Sequence, residues 1–261
     1  MPGSRGIPLK KKYGQHFLKR EGYAYQMLDH VSLDDTSSVF EIGGGEGFLT
    51  RIILKTPIKR LWIFEIDPDW ANHLKKNIQD DRVTIYETDI LHVDFNIFEP
   101  FKPWTLLANL PYQITFPFLQ RIQENRHLLK EGVIMVQEEV AQKILKTHGR
   151  GFGFPSLFFQ HYFEWQALSK VPPSAFFPPP KIYSRLLYFK PKKDVVNIPE
   201  EKQFWKFIKV CFRQPRRTLR NNLVQAHFDL SVIPEDYLNL RAQQLSMKDF
   251  LKLWELVRNQ N

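Results

Sequence analysis

Val39-Phe40-Glu41-Ile42-Gly43-Gly44-Gly45-Glu46-Gly47 is where the reading of this chain turns. A short β-rich run passes straight into four glycines, and an amphipathic segment follows as far as Lys55. Strand, glycine turn and helix in that order begin an open α/β sheet. Glycines at such a turn let the backbone approach a ligand closely, and the helix start favours polar or negative groups. The spacing is G-x-G-x-G, not the G-x-G-x-x-G of dinucleotide enzymes. A glycine cluster alone serves a tight turn equally well. Outward from it the alternation continues, with strands expected at Leu61-Ile66, Val83-Glu87, Thr105-Ala108 and Val133-Gln137. Helices are expected at Glu21 to Val31, up to Gln79, from Thr115 to Asn125 and from Glu138 to Lys146. This pattern predicts an α/β fold with a mostly parallel sheet covered on both faces. Past Gly149-Arg150-Gly151-Phe152-Gly153, strands near Phe163-Leu168 and Arg185-Phe189 flank a proline-rich loop and predict a closing antiparallel pair. From about Val195 the composition is helical. We therefore expect a domain over 1–193 and a small C-terminal all-helical domain over 194–261.

The strand ends carry the chemistry. Glu65 ends the second strand, where an acidic side chain can take both hydroxyls of a ribose, and Asp89 ends the third. The fourth runs through Trp104-Thr105-Leu106-Leu107-Ala108 into Asn109-Leu110-Pro111-Tyr112. Pro111 has no N–H, so the Leu110 carbonyl is freed beside an amide side chain and an aromatic ring. Two acceptors and a stacking face suit the exocyclic amine of a flat base, although a proline turn with a packed tyrosine fits the tetrapeptide too. Polar residues at consecutive carboxyl ends mark the ligand crevice of an open α/β sheet. Asp67, directly before Pro68, reads as a helix N-cap.

Composition narrows the classes. In 261 residues, 37 Lys and Arg against 28 Asp and Glu give a net charge of +9, compatible with a polyanionic partner. Cys211 is the one cysteine, which excludes an internal disulfide and a thiolate metal cluster. Phe204, Phe207 and Ile208 recur around it at helical spacing, so it reads as core. No apolar run is long enough to cross a bilayer, and the basic leader from Met1 to Lys12 lacks the apolar segment of a signal peptide, so a cytoplasmic location is expected. The histidines show no metal-ligand spacing, and no metal is expected. Arg216, Arg217 and Arg220 are expected on a helix starting at Pro215, with Arg213 ending the helix before; guanidinium forks suit phosphate. Lys11 and Lys12, with Lys10, Lys19 and Arg20, make a second basic patch. Both patches read as salt-dependent contacts to folded RNA, or as solvated charge runs.

Several segments fall together in a known order. They are Lys12-Tyr13-Gly14-Gln15-His16-Phe17-Leu18, Glu41-Ile42-Gly43, Glu65-Ile66-Asp67, Asp89 and Asn109-Leu110-Pro111-Tyr112. Later come Val171-Pro172-Pro173-Ser174-Ala175-Phe176-Phe177-Pro178-Pro179-Pro180-Lys181, Arg216-Arg217-Thr218-Leu219-Arg220-Asn221 and Arg241-Ala242-Gln243-Gln244-Leu245-Ser246. From about Lys10 to the C-terminus the chain resembles the bacterial KsgA-type rRNA adenine N6-dimethyltransferases. The resemblance implies a Rossmann-like class I methyltransferase domain and a helical RNA-binding domain. It also implies S-adenosyl-L-methionine as methyl donor, and 16S rRNA in the small ribosomal subunit as partner, with no DNA, membrane or stable homo-oligomer. By motif, Gly43 and Gly45 would contact the methionine part, Glu65 the ribose and Asp89 the adenine, with His16 and Leu18 closing the pocket. Asn109 and the Leu110 carbonyl would hold the target amine, with Tyr112 stacked on the target base and Phe176 on its other side.

Some positions depart from that family. Proline is usual at Gly44, a non-acidic residue at Glu46, asparagine at His16 and Gln113, and lysine at Glu138. They bear on cofactor affinity and target selection. Three other functions compete: a large-subunit rRNA methyltransferase of the erythromycin-resistance kind, an assembly factor that binds RNA without catalysis, and a dehydrogenase. The Pro172-Pro173-Ser174-Ala175-Phe176 segment and the helical tail favour small-subunit dimethylation.

Overall fold

The computed structural model describes residues 6–258. In chain order its elements are β1 (Phe17–Leu18), α1 (Glu21–Asp29), β2 (Ser38–Ile42), α2 (Phe48–Ile53), β3 (Arg60–Glu65), α3 (Pro68–Asn77) and β4 (Val83–Glu87). Next come β5 (Trp104–Asn109), α4 (Thr115–Glu124), β6 (Leu129–Gln137), α5 (Glu138–Leu145), α6 (Phe154–Tyr162), β7 (Phe163–Val171), β8 (Phe176–Phe177) and β9 (Ser184–Pro191). Among the described residues four α-helices follow: α7 (Glu201–Cys211), α8 (Leu219–Val224), α9 (Glu235–Leu238) and α10 (Met247–Arg258).

The chain divides into two compact units, 1–141 with 164–191, and 142–163 with 192–261. The division is discontinuous, where one boundary near Lys193 was expected. Residues 142–163 join the C-terminal segment because α6 carries aromatic side chains that pack on α7, with the Phe158 and Trp205 rings 4.9 Å apart.

In the first unit seven strands lie in the order β4-β3-β2-β5-β6-β9-β7. The five from β4 to β6 are parallel, and β9 joins β6 antiparallel. The two closing strands are neighbours at the far edge of the same sheet. Side-chain alternation along a strand sorts the core into two faces. Phe40, Trp62, Phe64 and Trp104 meet Phe95 and Phe98 on one face, with the Phe40 and Trp104 rings 4.1 Å apart. Val39, Leu61, Ile63 and Leu107 face the other way into a cluster with Ala24, Met27, Leu49 and Ile52. Every residue of β2 is buried, as a central parallel strand requires. No local signal announces β1 or β8, a two-residue antiparallel pair joining the N-terminal segment to the proline-rich loop.

In the second unit Phe204, Phe207, Cys211, Phe250 and Trp254 form a helical core. Burial pushes the Cys211 thiol up, out of the range in which it would ionise, in keeping with a core role. The arginine segment differs from expectation. Helix α8 starts at Leu219, not Pro215, because Thr218 adopts an extended backbone and bridges Arg241. Arg213, Arg216 and Arg217 therefore sit on the turn before the helix, and only Arg220 is on it.

Candidate active site

Parallel register lines up the predicted residues. Ile42 is level with Phe64 in β3 and with Ala108 in β5, so Gly43, Glu65 and Asn109 emerge side by side. The Gly43 amide donates to the Phe64 carbonyl at 2.9 Å and closes the turn. Glu65 is level with Glu87, which brings Asp89 to the same edge two residues later. Three adjoining cavities share Gly43 along this edge. The first is lined by Tyr13, His16, Glu65, Asn109, Leu110 and Tyr112; the second by Glu65, Asp89, Ile90 and Gln113; the third by Leu18, Glu41, Leu49 and Asn109.

Asn109 is held by its own side chain. Its Nδ2 donates to the His16 carbonyl at 2.9 Å, which leaves Oδ1 as the acceptor. Leu110 is buried, and its amide donates to the Met135 carbonyl. Tyr112 begins a single 3₁₀ turn, its hydroxyl 2.7 Å from Ser184 Oγ and its ring stacked on His16 at 5.7 Å. Burial pushes the Tyr112 phenol up, so it stays protonated at neutral pH and is no general base. His16 in turn has Nδ1 2.8 Å from the Pro178 carbonyl. One histidine thus joins the Asn109 loop to the proline-rich loop.

The N-terminal segment is strapped across this edge, and its anchor is Asp67. The carboxylate is fully buried and caps α3 through the Asp69 amide, as expected. It also accepts from Gln15 Nε2 at 2.8 Å and pairs with Lys10, whose ammonium also pairs with Asp69 at 2.7 Å. Gln113 Nε2 donates to the Lys12 carbonyl at 2.6 Å. Phe17 stands directly over the glycine turn, since a Cβ at Gly45 would meet its ring at 2.6 Å.

The acids differ in role. Glu65 is buried and its two carboxylate oxygens accept from the Gly45 and Asp67 amides, each at 2.9 Å. Burial nonetheless holds its pKa above the usual carboxylate range. Glu41, one strand over, is 1% exposed, accepts from Thr50 Oγ1 at 2.7 Å, and is pushed up to about 8 by burial. Asp89 Oδ1 accepts from the Leu91 amide, capping a short turn at the cavity wall. Gly43, Gly45 and Gly47 all have positive φ, which a side chain would strain.

This edge fits a nucleoside joined to an amino-acid tail. The trough runs from Asp89 past Glu65 to the glycine turn, and a Cβ at Gly43 would project into van der Waals contact with Asn109 O and Pro111. Among the described residues no group of His, Cys, Asp and Glu could hold a metal ion.

The departures have local partners. A Cβ at Gly44 would lie 2.5 Å from Ile63 Cγ2 and 2.8 Å from Leu74 Cδ1, so those side chains already occupy the space a proline would need. Glu138 is met by Arg185 in a two-pronged pair at 2.7 and 3.0 Å.

His16, Gly43, Gly45, Glu65, Asp89, Asn109, Leu110 and Tyr112 come together along these cavities, with Leu18 in the wall. Phe176 does not join them. It pairs with Leu18 through β8 and is 1% exposed in the core, while Phe177 beside it is half-buried. Lys11 and Lys12 are exposed on the strap. In the second unit Arg213, Arg216 and Arg217 are exposed, while Arg220 is paired with Glu235. Glu41, Asp67, Phe17 and Ser184 escaped the reading of the sequence. Only Asp67 carried a local signal, and that signal was for a cap.

Comparison with known proteins follows the same outline. A model of the family described as ribosomal RNA adenine dimethylase matches residues 7–256. A ribosomal RNA small subunit methyltransferase A of Chlorobium phaeobacteroides is 34% identical over 97% of this chain and 92% of its own. The protein of that name in Mycoplasma mobile is 35% identical over 91% of this chain and 94% of its own. Among solved structures, a dimethyladenosine transferase from Plasmodium falciparum superposes with a TM-score of 0.77 at 22% identity, over 94% of this chain and 98% of that one. The 23S rRNA methyltransferase ErmE gives 0.70 at 19%, over 93% and 99%. These two likenesses concern the fold, a class I methyltransferase sheet. Matched across nearly its whole length by the family model and by relatives above 30% identity, the chain belongs to the ribosomal RNA adenine dimethylase family.

Proposed function

We propose that this protein transfers methyl groups from S-adenosyl-L-methionine to the N6 amines of two adjacent adenosines near the 3′ end of 16S rRNA, giving N6,N6-dimethyladenosine during small-subunit assembly. It does so as a cytoplasmic monomer. The first unit carries the chemistry, and the second binds RNA through Arg213, Arg216 and Arg217. The observation that carries the reading is Asn109, whose Nδ2 is engaged by the His16 carbonyl so that Oδ1 remains as its acceptor, in the lining of a cavity shared with Tyr112 and the glycine turn.

An adenine amine is a weak nucleophile because its lone pair is delocalised into the ring. Asn109 Oδ1 and the Leu110 carbonyl accept its two N–H bonds, pull them out of plane and restore the lone pair. Tyr112 holds the base face, and Ser184 fixes the Tyr112 ring through its hydroxyl. Asp89 holds the cofactor adenine, Glu65 the ribose, and Gly43 and Gly45 the tail. When bound, S-adenosyl-L-methionine supplies a methyl already activated on a sulfonium. N6 gains the methyl as the methyl–sulfur bond breaks, and the methylated, cationic N6 loses one proton to water in each transfer, so positioning and electrostatics carry the step without a strong base. The target base is presented outside its stack.

The test is transfer of labelled methyl to small subunits lacking the modification, followed by nucleoside analysis. Labelled N6,N6-dimethyladenosine is expected, with Asn109→Ala slower by about 10²–10³-fold, as when one aligned polar partner of a transition state is removed. Tight particle binding without transfer by the unmodified protein would refute catalysis and leave an assembly factor.

A further inference from the structure

Three lysine–aromatic pairs stand on the first unit near the Asn109 cavity. Lys12 Nζ is 4.6 Å from the Tyr13 ring centre, Lys170 Nζ is 4.4 Å from Tyr183, and Lys19 Nζ is 6.0 Å from Phe177. Each ring is one step from the catalytic loop. Tyr13 lines both the Asn109 and the Asp89 cavities. Phe177 pairs with Phe17 and precedes Pro178, whose carbonyl meets His16. Tyr183 precedes Ser184, the partner of the Tyr112 hydroxyl.

Core packing does not account for the Tyr183 ring, and it covers the Tyr13 and Phe177 rings only in part. Tyr183 is 47% exposed and Ile182 beside it 40%, while Tyr13 and Phe177 are half-buried. All three lysines are exposed, and among the described residues none forms an ion pair with a carboxylate. Each pair therefore offers an aromatic ring and, beside it, a point charge with no carboxylate partner. Proteins that bind single strands use that combination, with rings taking base faces and cations taking phosphates. A base drawn out of its stack also leaves its neighbours' faces exposed, beside the site that took it.

We propose that Lys12–Tyr13, Lys19–Phe177 and Lys170–Tyr183 form a single-strand track that binds the nucleotides flanking the target adenosine. The inference rests on the RNA-methylating reading above and deepens it. Stacking on the exposed ring of Tyr183, with Lys170 on the adjoining phosphate, supplies part of the affinity for the target strand.

The test uses the full-length protein and a fluorescein-labelled oligoribonucleotide of about ten nucleotides with two central adenines, within the range of single-strand site sizes. An abasic strand of equal length reports charge alone. Tyr183→Ala is expected to weaken the intact strand about tenfold, with Tyr183→Phe close to wild type and the abasic strand unaffected. Lys170→Ala is expected to make the dependence of log affinity on log salt shallower by about 0.7, one single-strand phosphate contact. The same variants are assayed for KM and kcat on unmodified small subunits, where Tyr183→Ala raises KM and spares kcat. Equal binding of the intact strand by Tyr183→Ala and wild type overturns the track, as does an equal loss on the abasic strand. If wild type transfers no methyl to the subunits, the functional reading falls by itself. If it does transfer and KM is unmoved by Tyr183→Ala, only the track falls.

Discussion

Replacing Glu41 with glutamine tests how the glycine turn is supported from below. The carboxyl is 1% exposed, it accepts from the Thr50 hydroxyl, and burial raises it from 4.5 to about 8. Between those values the native state keeps a proton that the unfolded chain releases. Stability from this group is thus fully present below about pH 4.5 and is lost as pH rises towards 8. Each pH unit inside the window costs on the order of 1 kcal/mol, so pH 5 to 7 costs roughly 2–3 kcal/mol. At roughly 2–4 °C per kcal/mol for a chain of this size, that is a loss of about 5–10 °C in Tm. Glutamine does not titrate and can still accept from Thr50. Calorimetric melts from pH 5 to 8 at constant ionic strength should show wild type falling steadily relative to Glu41→Gln. Asp34, Asp80 and Asp249, whose pKa values are lowered, act at lower pH with the opposite sign and cancel in the comparison. Curves that stay parallel across the window would refute a proton on Glu41.

Two further outcomes concern the strap and the turn. Asp67→Asn weakens the buried anchor of Gln15 and removes the ion pair to Lys10, and a hydrogen bond to a charged group is worth about 1.5–3 kcal/mol. Amide exchange over residues 10–17 should accelerate by about tenfold, with S-adenosyl-L-methionine affinity falling alongside; unchanged exchange would show that the strap is held elsewhere. Gly44→Ala drives a methyl to 2.5 Å from Ile63 and 2.8 Å from Leu74. Overpacking of that kind costs about 1–3 kcal/mol, to be read from thermal melts, and adding Leu74→Ala should recover part of it.

Much of the crevice was legible because its determinants are local. A glycine run after a short β-rich stretch, an acid at each of the next two strand ends and Asn109-Leu110-Pro111-Tyr112 are short motifs at element ends, and parallel register does the rest. Strands and helices of the first unit were readable for the same reason, since buried runs and amphipathic spacing are local periodicities. What escaped depends on long-range pairing. Asp67 looked like a cap because its neighbour is Pro68, and nothing nearby announces Lys10 and Gln15, over fifty residues away. The arginine helix was started too early because Thr218 is extended by Arg241, a partner 23 positions on. Phe176 read as a ring for the target base, but its two-residue pairing with Leu18 turns it into the core. Composition and motif thus determine the sheet, the order of its strand ends and the chemistry offered there. Tertiary structure alone decides which side chains are spent on anchoring and which stay exposed, because burial and partnership belong to residues that only the fold brings together.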